Sequence, residues 1–225
     1  MKELILHRNS RHQIITFKDF NQLASLTCRF LEKKNVALSG GTTFKTLFSY
    51  WKNMKVNCTN SYFFPVDERI VGFDRQASNW GTTYRDFLQF VDRSEDKKHF
   101  VISCERYKKL LKEHFKDDNP VFDVIFLGVG DDGHTASIFP GSHAALDSSS
   151  IVLQTNSPKP PYDRITLGIK VIADAKKTIT IIAGENKKQV VSKILSGDKE
   201  LPIVKVLSHR RQSTIFIEEN LYRKR

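Results

Sequence analysis

Along the chain, apolar residues recur at two different spacings, and the exchange between them predicts helices separated by short strands. Residues 4–17 read as an irregular start or an edge strand. From Asp19 to Lys33, Phe20, Leu23, Ala24, Leu26, Phe30 and Leu31 recur at helical spacing, with Asp19 as the N-cap. Val36-Ala37-Leu38 is a short apolar strand that breaks at once into Ser39-Gly40-Gly41-Thr42-Thr43. A second helix places Phe44, Leu47, Phe48, Trp51 and Met54 on one face. Tyr62–Val66 reads as a strand running into Asp67-Glu68-Arg69. Ser78–Phe90 is a helix capped by Ser78 or Asn79, Phe100–Ser103 a short strand, and Glu105–Phe115 a helix.

Phe122–Gly141 is the most informative stretch. Val124-Ile125-Phe126-Leu127 suits a strand buried on both faces of a parallel sheet. It opens into Gly128–His134, which holds three glycines, two aspartates and one histidine. A buried strand ending in such a loop delivers polar groups to the carboxyl edge of a sheet, where open α/β sheets bind ligands. His134 is expected to start a short helix.

Beyond Gly141 the expected elements are a strand at Ile151–Thr155, a rigid Pro-rich turn at SPKPPYD, and β-like runs at Arg164–Leu167 and Thr178–Ala183. A helix over Glu185–Leu195 with Val190, Val191 and Ile194 inward and a last strand at Thr214–Ile217 follow. Alternating strands and helices predict an α/β fold, with a mostly parallel twisted sheet covered by helices on both faces. No internal repeat or low-complexity linker divides the 225 residues, so one domain over 1–225 is expected.

Composition narrows the setting. Hydrophobic residues make up 40% and charged residues 27%, as in a soluble globular protein. No apolar run reaches transmembrane length, and the opening MKELILHRNSRHQ lacks the apolar core of a secretory signal. Cys28, Cys58 and Cys104 are scattered, which points to reduced thiols and a cytoplasmic protein. A net charge of +11 favours anionic partners. The basic residues are spread along the chain, densest at Arg210-Arg211 and Arg223–Arg225, without zinc-finger or RNA-recognition spacing. An anionic metabolite is therefore the expected ligand, with no nucleic acid and no membrane.

Each candidate constellation admits two readings. Ser39–Thr43 suits a phosphate, because glycines let backbone N–H groups approach an anion at a helix start; it also suits a tight turn with Thr42 as N-cap. Asp67-Glu68-Arg69 positions a water, a histidine or a sugar, or is a solvated ion cluster. In Asp131-Asp132-Gly133-His134-Thr135, an imidazole with an ordinary pKa near ~6.5 is suited to proton exchange. A helix N-terminus would keep it neutral, Asp132 would orient it or touch substrate, and the glycine backbone would offer N–H groups to an oxyanion. The bland alternative is a capping histidine in a structural turn. Arg164 and Lys187 are phosphate clamps or surface cations. No HExxH, paired-cysteine or GxSxG motif supports a metal site or a serine nucleophile.

Taken in order, SGGTT, FFPVDER, FLGVGDDGHTASIFPG, SPKPPYDRITLG and AGENK resemble the 6-phosphogluconolactonases, over about Val36–Leu195. The related glucosamine-6-phosphate deaminases share parts of these motifs but carry a glutamate after the histidine. Here Ala136-Ser137-Ile138-Phe139-Pro140 has no acid, and Arg69 is an arginine those enzymes usually lack. Phe44 stands where a proline is common. The resemblance implies a deaminase/ribose-5-phosphate-isomerase-like, modified Rossmann-like fold. It implies hydrolysis of 6-phosphogluconolactone to 6-phosphogluconate in the oxidative pentose phosphate pathway, without an organic cofactor, by a monomer or weak homo-oligomer. The alternative is a deaminase-like sugar-phosphate isomerase. Carried onto this chain, His134 is the general base, Asp67, Arg69 and Asp132 line the same site, and Ser39, Gly40, Gly41, Thr42, Arg164 and Lys187 hold the phosphate.

Overall fold

The computed structural model describes residues 2–6, 10–32, 35–91, 100–101 and 103–222. Seven strands form the main sheet: β1 (Lys2–Leu4), β2 (Arg11–Phe17), β3 (Asn35–Leu38), β4 (Tyr62–Pro65), β6 (Val124–Gly128), β9 (Lys177–Ile182) and β10 (Gln212–Glu218). Their order is β1-β2-β10-β9-β6-β3-β4, parallel except for β1 against β2. A second sheet, three-stranded and antiparallel, joins β5 (Asp67–Arg69), β8 (Asp163–Leu167) and β7 (Val152–Asn156).

Helices fill the connections: α1 (Phe20–Thr27), α2 (Thr42–Asn53), α3 (Asn79–Thr83), α4 (Gln89–Val91), α5 (Cys104–Phe115), α6 (Ile169–Asp174), α7 (Lys188–Leu195), α8 (Pro202–Ser208) and α9 (Glu219–Tyr222). A π-helical turn at Tyr84–Leu88 joins α3 to α4. Asp19 and Ser78 cap α1 and α3 as the sequence predicts, through bonds from Gln22 N and Gly81 N.

Period-two alternation along the buried strands divides the core in two. Val36, Leu38, Val124, Phe126, Ile179, Ile181 and Phe216 pack with α1, α2 and α3 residues in one cluster. Ala37, Ile125, Leu127, Ile182, Ile215 and Ile217 pack with residues of α5, α6, α7 and α8 in the other. Both faces of the parallel sheet are thus covered, as a near-continuous apolar strand requires.

Several elements depart from the sequence expectations. The segment over 4–17 contributes β2, which lies inside the main sheet between β1 and β10. Asp67–Arg69 forms a strand of the second sheet and is not a solvated ion cluster, since Asp67 and Glu68 are buried. Phe100, Val101 and Ser103 are not in a strand, and Ile102 lies outside the described residues. Met54 is the C-cap of α2 and is 40% exposed, because the helix ends before its side chain can turn inward. Helix α8 has no counterpart in the periodicity reading: Pro202, Ile203, Val204, Val206 and Leu207 are all buried, and in this seven-residue helix only Lys205 and Ser208 mark a polar face. Arg210 is buried and not a surface cation: its guanidinium donates to the carbonyls of Ile172 and Ala173 at the end of α6. Arg223–Arg225 lie outside the described residues. Among those residues no helix is long and apolar enough to cross a membrane.

Trp51 ties three layers of the first cluster together. It is fully buried, lies 5.3 Å from Phe126 of β6 and 5.6 Å from Phe87, and donates its indole N–H to Thr27 of α1 at 3.2 Å. Trp51→Ala should therefore destabilise the protein by about 3–5 kcal/mol in denaturant unfolding; a loss below about 1 kcal/mol would mean the layers hold without it.

Candidate active site

The strand order sets where the chain can bind a ligand. From β3 the chain moves outward to β4, whereas from β6 it moves to β9 on the opposite side. Adjacent strands whose connections diverge leave a crevice at their carboxyl ends. Ser39–Thr43 follows β3 and Val129–His134 follows β6, and both line one cleft of about 490 Å³. Asp67 and Arg69 of β5, Arg164 of β8 and Lys187 beyond β9 line the same cleft. All ten residues singled out from the sequence are brought together.

The loop after β6 is held by its own polar groups. Gly130 N–H donates to His134 O at 2.8 Å, and Gly133 N–H to Gly130 O at 3.2 Å. Thr135 Oγ1 donates back to Gly128 O at 2.8 Å, and Ile203 N–H of α8 reaches Gly133 O at 3.1 Å. Asp132 Oδ1 lies 2.5 Å from His134 Nδ1 and also accepts the His134 backbone N–H at 3.0 Å. Burial alone would push the Asp132 carboxyl up, but the bonds and charge from His134 outweigh it and hold the carboxyl below its ordinary range. An ionised carboxylate only accepts, so Nδ1 carries the proton in this bond and Nε2 is the ring's unprotonated nitrogen when the imidazole is neutral. A Cβ on Gly130 would overlap both the His134 ring and Asp132 Oδ1, so only glycine lets this pair lie over the loop. The imidazole leans on Phe139, with ring centroids 4.8 Å apart.

One expectation for this loop fails, and another is narrowed. No helix starts at His134: the chain continues in turns, with Ile138 N–H bonded to Thr135 O and Ala136 at φ 52°. A left-handed residue followed by Pro140 cannot propagate a helix, so His134 does not stand at a helix N-terminus. The N–H groups of Gly130 and Gly133 are bonded inside the loop, which narrows the backbone donors it could offer an oxyanion.

The acidic strand end divides its labour. Glu68 is 1% exposed and points away from the cleft wall formed by its neighbours. Its carboxylate accepts from Arg69 N, Asn79 N and Trp80 N, each at 2.7 Å, and from Ser78 Oγ at 2.9 Å. Burial pushes this carboxyl up, and the four donors act against that shift. Asp67 accepts from Ser137 Oγ at 2.7 Å and more weakly from Asn79 Nδ2 at 3.4 Å. Arg69 donates Nη1 to Ala77 O at 2.7 Å and keeps a buried Nε–H without a partner.

The other end of the cleft is built for an anion. Gly41 is the N-cap of α2 and offers no side-chain bond, and no acid stands in the first turn. The N–H groups opening this 12-residue helix therefore carry its positive end towards the cleft. Thr42 is the first helical residue and not the cap. Ser39 Oγ is buried without a partner. A Cβ on Gly40 would collide with the Asn79 carboxamide, which couples this turn to the β5 network. Arg164, 6% exposed, donates Nε to Pro161 O at 2.8 Å. Burial, and then the Arg69 guanidinium, lowers its proton affinity, while Asp67 and Glu68 oppose that shift. Burial likewise lowers Lys187, against Asp131 and Asp132.

Asn79, Ser137, Lys159 and Asn186 also line the cleft and were not singled out from the sequence. Ser137 sits inside GHTASIFPG, but its partner Asp67 is 70 residues away, and no local pattern reports such a bond. Among the described residues no group of three or more His, Cys, Asp or Glu side chains is arranged to hold a metal ion.

Comparison with known proteins agrees with this geometry. The family model for glucosamine-6-phosphate isomerases/6-phosphogluconolactonase matches residues 18–216. A human 6-phosphogluconolactonase is 36% identical over 68% of this chain and 64% of its own length. The 6-phosphogluconolactonase of Trypanosoma cruzi superposes with a TM-score of 0.78 at 26% identity, covering 93% of this chain and 95% of that one. The Shewanella baltica enzyme of the same name gives 0.75 at 28%, covering 92% and 97%. With its fold, its cleft and these likenesses in agreement, the chain belongs to the glucosamine-6-phosphate isomerase/6-phosphogluconolactonase family.

Proposed function

We propose that this protein hydrolyses 6-phosphogluconolactone to 6-phosphogluconate, with His134 as the general base. The observation that carries the reading is one cleft lined both by the Asp132–His134 pair and by an anion end made of Arg164, Lys187 and the start of α2. A neutral lactone carbonyl needs an activated water, and a phosphate needs fixed cations and N–H donors; the two requirements meet in the same space.

Asp132 holds the Nδ1 proton, so the Nε2 lone pair takes a proton from water as its oxygen bonds to the lactone carbonyl carbon. The resulting oxyanion needs a donor, and the guanidinium of Arg69, which lines the cleft, is the candidate. Collapse breaks the ring C–O bond. The imidazolium then returns its proton to the departing ring oxygen, which becomes the hydroxyl of the open acid. Asp67, fixed by Ser137, faces the cleft as an acceptor for sugar hydroxyls. Arg164, Lys187, Ser39, Gly40, Gly41 and Thr42 hold the phosphate, whose binding energy orients the lactone.

A deaminase reading lacks its acid after the histidine, because Ala136 lines the cleft there. The deciding experiment is a turnover assay on freshly made 6-phosphogluconolactone, corrected for spontaneous hydrolysis, beside an assay for ammonia release from glucosamine 6-phosphate. Lactone turnover without ammonia is expected; the opposite pattern overturns the reading. His134→Ala should lower kcat roughly 100- to 10,000-fold, the usual worth of a general base, and near-wild-type turnover would remove His134 from the role. Arg164→Ala and Lys187→Ala should each raise KM about 10- to 100-fold, the worth of a charged hydrogen bond, with kcat largely kept. A fall in kcat alone would mean these cations serve the reacting centre.

A further inference from the structure

We infer that the segment Glu218–Asn220 positions Lys187 for the anionic end of the ligand, with Glu218 as the positioning residue; the inference rests on the reading of Lys187 as a phosphate ligand. The ladder between β9 and β10 ends where Ile182 stands opposite Ile217. Beyond it the backbone of Ala183 and Gly184 leaves the sheet and lines the cleft. The next acceptor is supplied by a side chain: Glu218 Oε2 takes the Gly184 N–H at 2.7 Å. From Gly184, at φ 101°, the chain makes one 3-10 turn, Glu185–Lys187, closed by Lys187 N–H on Gly184 O at 2.9 Å. Two residues past Glu218, Asn220 Nδ2 donates to Glu185 Oε1 at 2.7 Å. The turn that carries Lys187 is thus gripped at its first N–H and at its first side chain, both from the end of β10 and the start of α9.

This grip matters because Lys187 has competing partners. Asp131 and Asp132 both act on its ammonium from the loop after β6. A lysine on a slack turn would be free to move towards these carboxylates and away from the anion end. A lysine on a fixed turn keeps its charge where a phosphate can share it. A charged acceptor on a backbone N–H is among the stronger ways to fix such a turn.

The experiment compares binding of 6-phosphogluconate by titration calorimetry in the wild type, Glu218→Ala, Glu218→Gln, Lys187→Ala and the Glu218→Ala/Lys187→Ala double variant. Glu218→Ala should weaken binding about tenfold. Glu218→Gln should restore most of it, because a carboxamide oxygen also accepts the Gly184 N–H. In the Lys187→Ala background the Glu218 substitution should add less than about twofold, the non-additivity of groups acting through one another. Asn220→Ala frees the same turn at its other contact and should show the same pattern more weakly, which keeps the test open should Glu218→Ala fold poorly. Unchanged affinity in both Glu218→Ala and Asn220→Ala, an equal loss with and without Lys187, or no binding by the wild type overturns the inference. Absence of lactone turnover in a wild type that shows the expected binding pattern sinks the lactonase reading and leaves the positioning role standing.

Discussion

A carboxylate taken out of water must find donors in the protein, and Glu68 is where that demand organises this molecule. It draws three backbone N–H groups and a hydroxyl onto one buried carboxylate. Two of those N–H groups open α3, so the helix begins where Glu68 dictates. That start sets Asn79, which touches Asp67 on one side and closes over Gly40 on the other. The acid that faces the cleft and the turn at the anion end are thereby held at one spacing by a residue that lines neither. Leaving such a group with a missing partner costs about 1–3 kcal/mol or more, so the network is held together by the penalty for breaking it.

The two sheets contribute differently. The parallel sheet places loops, because the divergence of connections at β3 and β6 leaves a crevice. The small antiparallel sheet places charge, setting Asp67 and Arg69 opposite Thr166 and Arg164. Ser137 bridges the two, with its hydroxyl on Asp67 and its N–H on Thr166 Oγ1. His134, Asp132, Lys187 and the start of α2 follow strands of the first sheet, whereas Asp67, Arg69 and Arg164 lie on the second, so the proposed chemistry depends on how they are joined.

What could be read from the sequence follows from how local each signal is. Helices α2, α5 and α7 have one apolar face and are visible as a period. The loops at Ser39–Thr43 and Asp131–His134 are visible because glycines and polar groups directly after a buried strand have few other uses. The second sheet was not visible, since a run such as Arg164–Leu167 does not name its partner strand. Helix α8 has seven residues and only Lys205 and Ser208 to mark its polar face, too short a run to establish a period. The helix expected at His134 failed on Ala136 and Pro140, whose conformations override a favourable composition. Glu68 stood among three charges, and only the contacts of the folded chain separate the one that organises from the two that face the cleft.

Arg69 and Arg164 are register partners across β5 and β8. Like charges opposite one another in a ladder repel, and burial removes the water that would screen them. Asp67 and Glu68 offset part of that repulsion, and under the proposed function a phosphate in the cleft would offset more. Under the proposed function a phosphorylated ligand is then a counter-ion of the folded state as well as a substrate. Its concentration sets how much of the protein is folded as well as how much is at work, by ordinary mass action.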